Sequence, residues 1–266
     1  MVGFNPASLA RDVNIEYVSS KPRKSFRSLL TEHEKKKVEK LFLLNPVIGP
    51  EPVTGSSRMK GGSATVILLD ALKSSIVSHL QGKEDRLTKS LENSFQSVKQ
   101  AFEPQSSVFE IMKRTAQALR DGGRVYYSSF DPHAGMIGAI DFSEMPDTYG
   151  TAFDRMTAVI NTHYERIWPF PMAYHCEPKG HDIQINIRKD RSMHTYYPDY
   201  PFFGTTSLTA LSLKIVLNTI STYAQSQGRY AIEGNNSIGI TAANDKIYDR
   251  ALRMIKSRGG TERTLL

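Results

Sequence analysis

The sequence predicts an α/β chain, rich in helix, with an incomplete parallel sheet. Three observations carry that expectation. Arg124-Val125-Tyr126-Tyr127 is a short β-prone run that passes through the small-residue loop Ser128 to Gly135 into an apolar stretch, Met136 to Phe142. That is the strand–loop–helix order of a first βα turn, where ligands gather at the strand's carboxyl end. Ile183, Ile185 and Ile187 alternate with Gln184 and Asn186, the period of a strand with one buried face. Elsewhere apolar residues recur three and four apart over long segments, the period of helices lying on a core.

The bulk properties bound the function classes. The chain has 266 residues, enough for one large domain or two small ones with real cores. Hydrophobic residues make up 39% and charged residues 23%, a globular balance. No apolar run approaches the length of a bilayer span and no signal-peptide pattern follows Met1, so no membrane partner is expected. The single Cys176 excludes an internal disulfide framework and suits a reducing compartment. The net charge of +7 is compatible with nucleic acid. The cations are spread out, however, without a recognition helix or stacking aromatics, so an anionic small molecule or an acidic protein partner suits the charge as well. No nucleic-acid partner is expected.

Val2-Gly3-Phe4-Asn5-Pro6 reads as a strand end entering a turn. No βαβ unit precedes it for such a strand to join, so a fragment or truncated gene model is expected. Phe26, Leu29, Leu30, Leu41 and Phe42 flank the charged segment TEHEKKKVEK, an amphipathic helix with a solvated face on which His33 is a surface residue.

The stretch Asn45 to Leu69, NPVIGPEPVTGSSRMKGGSATVILL, organises the chain. Pro46, Pro50 and Pro52 keep its first part out of helix. Thr54, Gly55, Ser56 and Ser57 then lead to Arg58, Lys60, Gly61 and Gly62. Hydroxyls, backbone N–H groups and cations ahead of a helix start suit a phosphate or another anion. The same order also suits an ordinary Ser/Gly loop capping a buried helix.

Ser63 to Leu80 carries apolar residues on nearly every face, so its burial needs several neighbours. Leu87, Leu91, Phe95, Val98 and Phe102 form the core stripe of a next helix, closed by Pro104. Val108, Ile111, Met112, Ala116 and Leu119 form another, ended by Gly122-Gly123 as a C-cap. Both stripes are expected against the sheet. Thr195 to Phe203 is rich in Tyr and Pro. His175, Cys176, His181 and His194 fit no standard zinc spacing, so no metal is expected. Leu208 to Thr222 is a strongly apolar helix, and Asn244 or Asp245 caps a last one carrying Lys246 and Arg250. Their i, i+4 spacing puts both cations on one face, able to grip a phosphate or simply solvated.

GSSRMKGGSAT within NPVIGPEPVTGSSRMKGGSAT, together with GFNPASLAR, LKIVLNTIST and NDKIYDRALRMI, resembles the sugar isomerase (SIS) domain branch. That branch holds the glucokinase regulatory proteins and the N-acetylmuramic acid 6-phosphate etherases, and the wording SRMKGG is nearer the regulators. The resemblance implies an SIS-type, flavodoxin-like three-layer αβα fold with a C-terminal helical lid. It implies a remnant of a first SIS domain over 1–80 with its signature loop at 45–66, a shortened second SIS domain over 81–222, and the lid over 223–266. From about 161 to 206 the resemblance fails. It implies binding of fructose 6-phosphate or fructose 1-phosphate by Ser56, Ser57, Arg58, Lys60, Glu144, Lys246 and Arg250. Glu144 would accept from sugar hydroxyls, unless it is only a surface helix terminus. It further implies inhibition of a glucokinase or hexokinase-type partner without cofactor, metal or chemistry, in cytoplasm and nucleus. The alternatives are an etherase-like lyase, whose catalytic glutamates would lie in a region this sequence lacks, and a non-functional fragment.

Overall fold

In the computed structural model of the chain, the described residues are 47–84, 86–103, 105–129, 131–149, 156–158, 180–196, 208–227, 232–233, 236–237 and 245–260, preceded by 25, 27–29, 31–32 and 44. The chain divides into two compact units, one of Met1–Thr65 with Thr241–Leu266 and one of Val66–Ile240. The helices and strands are α1 (Lys60–Leu80), α2 (Leu87–Phe102), α3 (Gln105–Arg120), β1 (Val125–Ser129), α4 (Pro132–Tyr149), β2 (Met156–Ala158), β3 (Ile183–Ile187), β4 (Met193–Tyr196), α5 (Ala210–Gln227), β5 (Ile232–Glu233), β6 (Asn236–Ser237) and α6 (Asp245–Ser257).

The larger unit is α/β. Its sheet has the order β2-β1-β3-β4. β1 pairs in parallel with both β2 and β3, while β3 and β4 are antiparallel. The sheet is therefore mixed, where the sequence predicted a parallel one. The reason is local. Between β3 and β4 the Asp190 carboxylate accepts from the Ser192 hydroxyl at 2.8 Å and from its N–H at 3.0 Å. Arg191 takes a left-handed φ of 63°, and Arg188 N donates to Ser192 O at 2.9 Å. That turn is far too short for the crossover a parallel partner requires.

β1 is buried along its whole length. Tyr126 and Ser128 stand in register with Gln184 and Asn186, and Val125, Tyr127 and Ser129 with Ile183, Ile185 and Ile187. The isoleucines are buried and the amides half-buried, so the alternation read from sequence gives the core face. α4 lies on that face: a Cβ added to Gly138 would sit 3.0 Å from Ile187 Cδ1 and 3.7 Å from Tyr127 Cβ. Asp131 starts α4 four residues before the expected Gly135–Met136 junction, its carboxylate accepting from Ala134 N at 2.9 Å, an N-cap.

α3 buries most of the stripe the sequence predicted: Val108, Ile111, Ala116 and Leu119 are buried and Met112 is half-buried. Each such side chain contributes roughly 1.5–3 kcal/mol for the larger aliphatics. Gly122 takes a φ of +83°, and Gly123 N bonds Ala118 O at 2.8 Å while Gly122 N reaches Leu119 O at 3.3 Å, the Schellman pattern that ends a helix. α5 is the central helix, burying Leu211, Leu213, Val216, Leu217, Ile220 and Ala224. It also buries Asn218 and Ser221. These two donate to Asp141 Oδ1 of α4 at 2.6 and 3.2 Å, and Tyr127 OH lies 3.3 Å from Asp141 Oδ2. A carboxylate that is 1% exposed is thus held by donors from β1 and α5, as a buried charge requires.

Two helices depart from the sequence reading. α2 buries Ser90, Ser94 and Ala101, while Phe95 and Phe102 are 71% and 53% exposed. The buried stripe sits one residue, about 100° of helix, away from the apolar one. Polar bonds select it: the Ser212 hydroxyl of α5 lies 2.6 Å from Ser97 O and 2.9 Å from Gln100 Oε1, and Thr209 N donates to Gln100 at 3.2 Å. α1 buries only Gly61, Ala71 and Ser78 among its described residues, and leaves Val66, Leu69, Ile76, Val77 and Leu80 exposed. Its apolar residues surround the axis instead of forming a stripe, so no single neighbour covers them. By length and composition α1 could cross a membrane, against the reading that no run approaches that length. Asp70 and Lys73 near its middle are charges a span would carry into hydrocarbon at high cost.

The smaller unit contains the proline-stiffened loop and α6. Its buried side chains include Val53, Ile247 and Leu252. A helical turn over 27–29 starts at Ser25, whose hydroxyl accepts from Ser28 N at 3.0 Å. Most of the predicted lysine-rich helix, the opening 1–11 and the stretch 197–203 lie outside the described residues.

Candidate functional site

The segment Val47–Met59 has no helix or strand, and α1 follows it at Lys60. The first four N–H groups of a helix have no partner within it. Here the loop itself supplies three of them, and the Ser63 N–H then makes the first i→i−4 bond of the helix. Glu51 Oε2 accepts from Lys60 N at 2.9 Å and Oε1 from Gly61 N at 2.6 Å. Ser57 O accepts from Gly62 N at 2.6 Å, and Met59 O from Ser63 N at 3.0 Å. The expectation that N–H groups here await an anion is corrected: a carboxylate of the same chain occupies them. Lys60 belongs to the helix and not to the loop, and is exposed.

What the loop offers instead is side chains. Ser56 is 3% exposed, with its N–H on Val53 O at 3.0 Å, and Ser57 is exposed. Arg58 is 4% exposed and Arg250, on α6, is 3% exposed. The Arg250 guanidinium turns onto the loop, its Nη2 donating to Gly55 O at 2.5 Å. Gly55 makes this possible. Its φ is +80°, and an added Cβ would meet Arg250 Nε at 2.7 Å. α6 buries Ile247, Ala251 and Leu252 beside Arg250, while Arg253 pairs with Asp249 at 3.1 Å on a more exposed side. Ser56, Ser57, Arg58 and Arg250 thus belong to one unit, three of them withdrawn from water. A guanidinium does not lose its proton, so each buried one demands acceptors, and an anionic ligand is a natural complement.

Lys246 falls in the first turn of α6; its side chain lies outside the described residues. Glu144 is half-buried inside α4, in the other unit. It is not a helix terminus, because α4 continues to Tyr149. Glu51 was not legible as a site residue. Its bonds reach nine and ten residues along the chain, beyond any local capping pattern. Among the described residues no group of three His, Cys, Asp or Glu side chains is placed to hold a metal ion. His181 is exposed and lies 3.8 Å from Asp121.

No protein-family model matches the chain. It is 36% identical to the glucokinase regulatory protein of Xenopus laevis over 172 residues, 63% of this chain and 27% of that protein. It is 38% identical to the glucokinase regulatory protein of Homo sapiens over 159 residues, 58% of this chain and 24% of the relative. It is 24% identical to an N-acetylmuramic acid 6-phosphate etherase of Parasynechococcus marenigrum over 216 residues, 59% of this chain and 65% of the etherase. The chain therefore resembles the glucokinase regulatory proteins, as its loop sequence implied, and matches about a quarter of their length.

Proposed function

We propose that this chain is a regulator that binds a sugar phosphate, fructose 6-phosphate or fructose 1-phosphate, and inhibits a glucokinase-type kinase by direct contact. The observation that carries the reading is a hydroxyl-bearing loop with the buried guanidinium of its own Arg58 and that of Arg250, which reaches Gly55 O from α6. A phosphate carries close to two negative charges near neutral pH, which two planar forks complement. Ser56 and Ser57 supply hydroxyls, and Lys60 and Lys246 add positive charge from the starts of α1 and α6. The identity to glucokinase regulatory proteins is what supports a kinase of that type as the partner.

In this reading the fold is SIS-type, with 1–80 from a first SIS domain, 81–222 a shortened second one and 223–266 a lid. The protein performs no chemistry and works in cytoplasm and nucleus. A coupled assay of glucokinase with the purified chain tests the regulatory function. Inhibition that deepens with fructose 6-phosphate supports it, and unchanged activity at high micromolar chain concentration removes the kinase as partner. The likeness to an etherase favours a second reading, ether cleavage in an amino-sugar phosphate. Lactate released from N-acetylmuramic acid 6-phosphate would support that reading instead.

A further inference from the structure

Glu51 accepts from two consecutive backbone N–H groups, at 2.9 and 2.6 Å, and so closes a ring of chain from Glu51 to Gly61. Inside that ring lie Gly55, whose carbonyl receives Arg250, Ser56, whose N–H returns to Val53 O, and the buried Arg58. We infer that Glu51 is the positioning residue of this loop, and this rests on the sugar-phosphate reading above. Its carboxylate does two things. It pins both ends of the ring, so that Ser56 and Arg58 hold one geometry before any ligand arrives. It also fills the start of α1, so that a ligand's charge is met by guanidinium side chains and not by the helix N-terminus.

A carboxylate next to an anion site is ordinarily repulsive. The opposite dependence is expected here, because a binding constellation loosened by about an ångström loses one to two orders of magnitude. The test uses the full chain titrated with fructose 6-phosphate by calorimetry, for the parent, Glu51→Ala, Glu51→Gln and Arg58→Ala. Amide hydrogen exchange over 51–61 is followed in parallel. Positioning predicts that Glu51→Ala weakens binding by about tenfold or more and speeds exchange at Lys60 and Gly61. Glu51→Gln recovers part of both, since its amide oxygen still accepts one N–H. Tighter binding in both Glu51 variants would mean the carboxylate only repels, and overturns the inference. Equal affinity with lowered thermal stability would mean a merely structural cap, and also overturns it. If Arg58→Ala binds like the parent, or the parent does not bind at all, the sugar-phosphate reading itself fails and the inference with it. If Arg58→Ala loses binding while the Glu51 variants keep it, only the inference fails.

Discussion

Replacing Gly55 by alanine tests the contact that brings α6 onto the loop. Two costs add in the parent background. An L-residue held at φ +80° carries strain of about 1–2 kcal/mol. The new Cβ, 2.7 Å from Arg250 Nε, also displaces the guanidinium from Gly55 O, and a hydrogen bond from a charged donor is worth roughly 1.5–3 kcal/mol. The total is about 2.5–5 kcal/mol. In an Arg250→Ala background the second cost has already been incurred, so Gly55→Ala should cost only the strain, about 1–2 kcal/mol. The double-mutant cycle therefore predicts a coupling of roughly 1.5–3 kcal/mol. Amide exchange in α6 and in 51–61, read by mass spectrometry under conditions where rates report opening free energies, measures each corner locally. It does not require the two units to unfold together. Equal costs of Gly55→Ala in the two backgrounds would show that Arg250 does not press on Gly55, and would refute the reasoning.

Asp141→Ala removes the acceptor of Asn218 and Ser221 and the neighbour of Tyr127 OH. The Ser221 hydroxyl keeps Leu217 O at 2.9 Å, so the Asn218 amide is the buried donor that loses its acceptor, and a loss of about 1–3 kcal/mol in urea unfolding is expected, with Asp141→Asn milder. Asp190 gives a pH dependence. The Ser192 hydroxyl, then the Ser192 N–H, holds its carboxyl below the usual carboxylate range. A carboxyl with a depressed folded-state pKa stabilises above its unfolded value and loses that contribution as pH falls through the folded one. The β3–β4 turn should therefore be firm at neutral pH and loosen on strong acidification. The Ser192 amide shift in a pH titration reports this, and Asp190→Asn should abolish the transition.

Where one force dominated, the sequence was a sufficient guide. The stripe of α3 and the Ile183–Ile185–Ile187 alternation follow apolar burial alone, and both landed on the core as expected. α2 failed because Ser212, Thr209 and Gln100 compete with Phe95 and Phe102 for the α5 interface, and polar pairing across 109 residues leaves no local trace. β4 was hidden in a Tyr-rich run, its pairing decided by the Asp190–Ser192 turn. α1 reads as a core helix by composition, yet lies mostly exposed. In the candidate site Ser56, Arg58 and Arg250 were singled out from their wording and spacing, and the structure buries all three in one unit. Glu51 was not, because a side chain that caps a helix from nine residues away has no sequence signature.

The central claim is that Arg58 and Arg250 receive a sugar phosphate on this loop. Calorimetric titration of the full chain with fructose 6-phosphate, beside Arg58→Ala and Arg250→Ala, tests it most directly. Saturable binding by the parent is expected, with a loss of about tenfold or more in each variant, the worth of one charge-assisted contact. The loss should be greater in Arg250→Ala, which also removes the donor to Gly55 O. Parent binding left unchanged by both substitutions, with the fold intact, would contradict it.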